Sequence, residues 1–386
     1  MSINACDVAM NGSLNERTEA IKAEIKDEYR QAHNKPWIIG FSGGKDSTLM
    51  LHLVVESLLE LSFSDRSRPV HVVANDTLVE SPIVQTYVDS TLRSLAESLK
   101  RLQLPIDVVK TTPDVDHSFW VNLIGRGYPA PTRMFRWCTD RMKIRPTTAY
   151  IRNQVSGNGE VILLLGVRRS ESSARAKSAR RYDNGCRLNR HNDIQGCLVF
   201  RPILELDTES VWEFLMTTDP PWDGTHRDLV RLYRDAAGGE CPVVLDPDAA
   251  PSCGSSSIRF GCWTCTVVEK DRSFRSAMEK GFEHLEPMAD FRDWLKQYCY
   301  EESNRMKQRR NGTNGIGPLT FEARRTVLDR LLLLQDKVAQ DLISGAEVRR
   351  IKEIWREDDS QIAIRKANRL IELIGGRREK TGSAAS

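Results

Sequence analysis

The chain is 386 residues long, with 40% hydrophobic and 28% charged residues, which is more than one ordinary domain and ample for a core that needs no disulfides. Lys and Arg number 56 against 53 Asp and Glu, a formal charge of +3; this disfavours a protein sheathed in polyanion and leaves room for a local basic face. Nine cysteines are too few for a disulfide framework at this length and enough to call for a metal site or a reactive thiol.

The first 20 residues hold no apolar run of the signal-peptide kind, and the longest apolar stretches, Val161–Leu165 and Leu331–Leu334, are far below a membrane span. The expectation is a soluble cytoplasmic protein with reduced cysteines and no membrane partner. Residues 1–13 read as a loose leader. Leu14 to about Gln31 reads as a helix, with Ile21, Ile25 and Tyr29 four apart. An alternation follows: strand Trp37–Phe41, helix Asp46–Leu61, strand Pro69–Ala74, helix Pro82–Leu102, strand Pro105–Lys110, a helix over Cys138–Val155 that contains Pro146, and strand Val161–Gly166. Strands separated by helices of this length imply right-handed βαβ units, hence an α/β fold with a doubly wound, mostly parallel sheet. Beyond about residue 200 the pattern changes. Asp207 or Thr208 can cap a short helix, 236–261 is rich in Gly, Pro, Ser and Asp, and 271–374 reads as helical with a loop at Gly312–Pro318. The expected organisation is an α/β domain at 14–235, a cysteine-rich segment at 236–270, a helical region at 271–374 and a disordered tail at 375–386.

The sharpest motif is Ser42-Gly43-Gly44-Lys45-Asp46-Ser47, directly after a strand and opening a helix. Two glycines let the backbone approach an anion, and the helix start offers unpaired N–H groups and a positive dipole end. Lys45 adds a point charge, Ser42 and Ser47 add hydroxyls, and Asp46 can hold a Mg²⁺ bound to the same phosphates. The loop differs from the common nucleotide-hydrolase pattern, because Ile39 stands where the first glycine is required and Asp46 follows the lysine. Asp76 closes the second strand, where a carboxylate can accept from a nucleoside or cap the next helix. Gly166 and Arg168 close the fourth strand: the glycine permits close approach to a nucleotide, and the arginine can pair a phosphate bidentately. Arg168 opens a segment, 168–190, with eight Arg or Lys residues against Glu171 and Asp183; such a run suits a polyanionic substrate, or simply a solvated face.

The second motif is Cys262-Trp263-Thr264-Cys265, with Cys253 upstream and Cys138 in a distant segment. Two thiolates on one tight turn share an ion or a cluster, and four from separated segments suit either a [4Fe–4S] cluster or a Cys₄ zinc site. Cys241 is a fifth candidate, as a ligand in place of Cys253 or as a sulfur-carrying thiol. Cys6, Cys186, Cys197 and Cys299 read as small buried or unreactive residues.

Phe41–Ser47, Asp76–Glu80, Trp137–Thr139, Gly166–Arg175 and Arg259–Glu269 together resemble the PAPS reductase superfamily of PP-loop ATP pyrophosphatases, whose fold is adenine nucleotide alpha hydrolase-like. Within it they are similar to the DndC/SspD-like DNA phosphorothioation sulfurtransferases. The resemblance implies that the loop holds the β,γ-pyrophosphate of ATP while a DNA backbone phosphate is adenylylated, so that sulfur can replace a non-bridging oxygen. On this resemblance Lys45, Asp46 and Arg168 are catalytic, with Arg168 stabilising charge near the α-phosphate. Ser42, Gly43, Gly44, Lys45, Asp46, Ser47, Asp76, Gly166 and Arg168 bind ATP and Mg²⁺. Cys138, Cys253, Cys262 and Cys265 hold a [4Fe–4S] cluster. It also implies DNA, a cysteine desulfurase and other DNA phosphorothioation proteins as partners. The competing readings are a reductase of adenylyl sulfate or its phosphorylated form, a tRNA-thiolating enzyme, and a non-catalytic nucleotide sensor of a modification complex. The reductase needs a cysteine in its carboxyl-terminal tail, and the last cysteine here is Cys299.

Overall fold

The computed structural model describes residues 12–132, 134–171, 187–236, 261–267 and 285–359. The described residues of Met1–Pro113 and Thr132–Ala289 form one compact unit, and those of Asp114–Pro131 and Asp290–Ser386 a second. Residues 114–131, which the sequence pattern leaves within the 14–235 domain, thus cluster with the carboxyl-terminal helices.

The first unit is built on a six-stranded sheet. Its strands are β1 (Trp37–Phe41), β2 (Val70–Asn75), β3 (Ile106–Thr111), β4 (Val161–Leu165), β5 (Leu188–Arg190) and β6 (Cys197–Phe200), in the order β3-β2-β1-β4-β6-β5. All neighbours are parallel except β5, which runs antiparallel to β6. The first unit's helices are α1 (Leu14–Tyr29), α2 (Lys45–Leu59), α3 (Pro82–Arg101), α4 (Arg145–Asn158), α5 (Thr208–Thr217) and α6 (Arg227–Ala236). A Ser13–Glu16 capping box starts α1, and Asp207 accepts the Ser210 amide to start α5.

Because side chains alternate across a strand, β1 feeds two cores. Trp37, Ile39 and Phe41 join the apolar faces of α1, α2, α3 and α5, while Ile38 joins Val161, Leu163 and Ile151 of α4 on the other side. Helices therefore cover both faces, and the sheet is a doubly wound, mostly parallel α/β sheet. The helix expected over Cys138–Val155 runs in three pieces: Trp137–Thr139, a π-helical turn at Asp140–Ile144, and α4 with Pro146 in its first turn. Pro146 has no amide hydrogen for the helical ladder, so the regular α pattern restarts at the proline.

In the second unit, α7 (Glu286–Tyr300) and α8 (Phe321–Val338) are followed by a helix over 345–359. Trp120 donates its indole N–H to Leu342 O at 2.7 Å, and Arg324 donates to the carbonyl of Gly125. The loop expected at Gly312–Pro318 is longer, covering 301–320. The Arg305 guanidinium ties it together by donating to Gly317 O and to Cys299 O.

Candidate functional site: a phosphate loop beside a cysteine turn

In the strand order, β1 lies between β2 and β4, so the chain leaves β1 toward one side of the sheet and later returns to its other side. This is the topological switch point, where open α/β sheets bind ligands beyond the carboxyl ends of their strands. The Ser42–Ser47 loop follows β1 at that point. Gly43 takes φ +71°, and a side chain there would meet Val88 Cγ2 of α3 at 2.6 Å, so only glycine suits the turn. The loop is wired from within. The Ser42 amide donates to Ser47 Oγ (3.2 Å), Ser47 Oγ donates to Gly44 O (2.9 Å), and the two hydroxyls lie 3.1 Å apart. Gly44 caps α2 without a side-chain hydrogen bond, leaving the helix amino terminus to the loop backbone.

The chain after β4 closes over this loop. A Cβ on Gly166 would stand 2.7 Å from Asp46 O and 2.9 Å from Ser47 Cα; the missing side chain makes room for the protein's own first helical turn. Arg168 is 1% exposed. Its Nε donates to Asp46 Oδ1 at 2.6 Å, and its Nη1 to Ser170 Oγ (2.8 Å), Leu206 O and Thr208 Oγ1 (3.2 Å each). Lys45 Nζ reaches the other oxygen of Asp46, Oδ2, at 3.0 Å. The order is therefore Arg168, Asp46, Lys45, with Arg168 gripping the carboxylate from within the protein instead of reaching for a phosphate. A further group enters from α6: Tyr233 Oη accepts the Lys45 amide at 3.3 Å, and Lys45 Nζ stands 5.8 Å from the centre of the Tyr233 ring.

At the end of β2, Asp76 is engaged on both oxygens. Oδ1 accepts the Leu78 amide (2.8 Å), and Oδ2 pairs with Lys110 Nζ (3.0 Å). It shapes the turn that follows β2 and does not cap α3, whose N-cap is Ser81. Leu78 in this turn takes φ +64°, and the turn carries the cysteine motif. Glu80 and Cys262 form an antiparallel bridge, the Trp263 amide donates to Val79 O (3.0 Å), and the Cys265 amide donates to Cys262 O (2.9 Å). Thr77 Oγ1 stands 3.4 Å from Cys262 Sγ and donates to Glu80 Oε1 at 3.0 Å. Asn75 fixes the Cys138 segment to the same strand end, donating from Nδ2 to Lys143 O (3.0 Å) and Thr147 Oγ1 (2.6 Å).

Cys138, Cys262 and Cys265 are free thiols that feel one another electrostatically. Burial, then the charge of Cys265, raises the Cys138 thiol; burial, then Glu80, raises that of Cys262. Desolvation lowers the Lys143 ammonium, but the charges of Cys262, Glu80 and Cys138 outweigh it and its pKa rises. Lys143 Nζ lies 3.4 Å from Glu80 Oε1. Among the described residues no group of three or more His, Cys, Asp or Glu side chains is arranged to hold a metal ion. Cys253 lies outside the described residues, as do Cys241, Arg175, Cys6, Cys186 and the stretch 172–186 of the basic segment. The donor chemistry nevertheless suits a soft metal centre, with three thiols, a cation and the Thr77 hydroxyl beside them. Thr264, between the two cysteines of the turn, is fully buried, and its hydroxyl meets no partner among the described residues. Cys197 and Cys299 are buried, and burial pushes their thiols up to about 11 and about 12, as suits inert core residues.

Tyr233, Lys143 and the Thr77–Glu80 pair are features that sequence reasoning assigned no role. The first was legible only as the apolar spacing of Leu229, Val230 and Tyr233. The second was legible as a lysine five residues beyond Cys138.

A glycine loop that leaves the central strand of a parallel sheet and opens a helix amino terminus at the switch point defines a nucleotide-binding class of α/β protein. Residues 36–268 match the phosphoadenosine phosphosulfate reductase domain, and the chain belongs to that family. It is 26% identical over 199 residues to the uncharacterized protein MJ0066 of Methanocaldococcus jannaschii, covering 52% of this chain and 35% of that one. It is 28% identical over 200 residues to MJ0973 of the same organism, covering 50% of this chain and 40% of that one. The chain thus spans well under half the length of either relative. Among solved structures it is similar to a phosphoadenylyl-sulfate reductase from Candida auris in a phosphate complex, at 12% identity and a TM-score of 0.31, covering 52% of this chain and 85% of that one. No helix of the described residues is long and apolar enough to cross a membrane.

Proposed function

We propose that the chain is an ATP pyrophosphatase that activates a DNA backbone phosphate for replacement of a non-bridging oxygen by sulfur. The observation that carries this reading is the convergence of the Ser42–Ser47 loop and the Gly166–Arg168 segment at the switch point of the sheet, where the Asp46–Ser47 backbone leaves no room for a side chain at Gly166. The DNA substrate is supported by the resemblance of the loop and cysteine segments to phosphorothioation sulfurtransferases.

In this reading the loop amides, Ser42, Ser47 and Lys45 hold the β,γ-phosphates. An oxygen of the DNA phosphodiester attacks the α-phosphorus and pyrophosphate leaves, which turns a hopeless leaving group into AMP. A sulfur nucleophile then attacks the adenylylated phosphorus and AMP departs with the former oxygen. Asp46 would be the protein ligand for a Mg²⁺ that neutralises the phosphates, with Arg168 holding its carboxylate from within the protein. Asp76 shapes the turn that faces the nucleoside. Cys138, Cys253, Cys262 and Cys265 would hold a [4Fe–4S] cluster, whose chemistry is to bind or deliver sulfide; Thr77, Thr264 and Lys143 supply the polar groups around those sulfurs. A cysteine desulfurase is the natural source of the sulfur, and other DNA phosphorothioation proteins complete the assembly.

The test is release of pyrophosphate from ATP by the full chain with a DNA oligonucleotide and a sulfide donor. Lys45→Ala is expected to lower the rate at least about a hundredfold, the scale for removing one preorganised charge contact. An unchanged rate in that variant would overturn the loop assignment.

A further inference from the structure

We propose that the 304–320 ribbon of the second unit is a nucleic-acid contact, whose exposed cations hold the phosphate backbone of the DNA. This rests on the reading of DNA as the substrate and deepens it by naming a surface for that strand.

Composition sets this stretch apart. Between Glu302 and Glu322 the chain carries Arg305, Lys307, Arg309 and Arg310 and no acid, although acids and bases nearly balance over the whole length. Two of these four cations hold the ribbon in shape. Arg305 donates from Nε to Gly317 O (2.7 Å) and from Nη1 to Cys299 O (3.1 Å). Arg310 donates to the Arg126 carbonyl, and its guanidinium lies 4.7 Å from the centre of the Tyr128 ring. The backbone closes the rest. The Met306 amide donates to Pro318 O (2.8 Å), that of Arg309 to Thr313 O (2.8 Å) and that of Gly315 to Lys307 O (3.0 Å). A Cβ on Gly317 would stand 2.0 Å from Gln308 O, so the two strands meet only over a glycine. The other two cations, Lys307 and Arg309, are exposed, as is every residue of 306–314. Among the described residues neither meets a carboxylate.

The division of labour is what points to a ligand. Arg305 and Arg310 are consumed in building the ribbon, and Lys307 and Arg309 are carried on it with no countercharge from the protein. Charges of one sign without a local acid raise the potential around them and draw anions. A phosphodiester strand that meets such cations sheds the counterions condensed on it, and that release drives the contact whatever the base sequence. A ribbon already fixed by its own hydrogen bonds loses little freedom when it binds, which keeps the cost of ordering low. Its form fits as well: the major groove of a duplex admits a two-stranded ribbon, and the exposed tip leaves both cations open to a single strand. The ligand class is a nucleic-acid backbone, held by its phosphates.

The experiment is the salt dependence of binding between the full-length protein and a labelled oligonucleotide, single-stranded and duplex, followed by fluorescence anisotropy. Lys307→Ala combined with Arg309→Ala removes two phosphate contacts. It should lower the slope of log K against log salt by about 1.4 on the single strand or about 1.8 on the duplex. The loss should be the same on unrelated base sequences, with ATP binding unchanged. Lys307→Gln with Arg309→Gln, which keeps the length of the side chains and removes their charge, should give the same loss. Circular dichroism and thermal midpoints separate this from a loss of fold, and either double variant that folds carries the test. A slope equal to wild type in a folded variant overturns the ribbon as a contact and leaves the DNA reading standing. Polyglutamate that binds wild type as tightly as the oligonucleotide, and loses that binding in the variants, assigns the ribbon to acidic proteins and overturns the nucleic-acid contact. Wild-type protein that binds neither form of DNA at low salt overturns the DNA reading and this inference with it.

Discussion

Arg168 has almost no water to solvate its guanidinium and meets that need with Asp46, Ser170, Thr208 and a main-chain carbonyl. Removing the arginine strips Asp46 Oδ1 of its buried partner and leaves only Lys45 on Oδ2, which costs about 3 kcal/mol, the low end for breaking a buried ion pair. Arg168→Ala is therefore expected to lower the unfolding free energy by about that amount, and Arg168→Lys to recover only part of it, because an ammonium cannot reproduce the planar fork. Urea unfolding of the three proteins checks this; a loss below about 1 kcal/mol for the alanine variant would show that Asp46 does not depend on the arginine. The identity of these residues was readable from the chain, since Lys45, Asp46 and Arg168 each stand in a motif. Their division of labour was not. A guanidinium after a strand reads as a phosphate ligand until packing shows that it is buried and turned toward a carboxylate 122 positions away. Gly166 is similar: the need for a missing side chain was legible, and the group that fills the space was not.

At the scale of elements, the turn from Asp76 to Glu80 ties the end of β2 to β3 and to the cysteine turn. One end of it pairs with Lys110 through Asp76, and the other bridges to Cys262 through Glu80. A metal centre on Cys138, Cys253, Cys262 and Cys265 would thus sit on the turn that closes β2, the strand next to the one that carries the glycine loop. Protein purified without oxygen is expected to carry about four iron and four acid-labile sulfide per chain, and Cys262→Ser to lose them with their visible absorption. A colourless protein holding one zinc would overturn the cluster. Strands β1 to β4 and helices α1 to α3 were legible within a residue or two, because each is a local pattern of spacing and turn residues. The short strands β5 and β6 were not. Three and four residues are too few for an alternation to register, and β5 exists only because it pairs with β6. The π-helical turn before Pro146 was hidden for a different reason: a proline announces a break in the ladder without saying how the chain will accommodate it.

For the molecule as a whole, an acid-sensitive feature lies in the core that supports the phosphate loop. His52, on α2, and His226, just before α6, are both buried, with Nδ1 of the first 3.0 Å from Nε2 of the second. Burial, then the charge of His52, pushes His226 down to about 4 from its ordinary 6.5. A histidine with a lowered folded pKa takes up its proton first in the unfolded chain. The stability it leaves intact above pH 6.5 is therefore lost as pH falls toward 4, by on the order of 3 kcal/mol. Urea midpoints should decline across that window, and His226→Asn should flatten the decline; an identical slope in the variant would assign the effect to other groups. Neither histidine stood out in the sequence, because their pairing depends on a contact across 174 positions. The sheet that carries all of this ends, among its described strands, in β3 and β5, and the two margins share a property. β3 presents Asp107 and Lys110 to water, and β5 is three residues long with Arg190 exposed. Charged or truncated margins are poor templates for another chain's backbone. A protein whose parallel strands must find partners distant in sequence folds slowly enough to expose them, and these margins guard it against sticking to its own copies in the meantime.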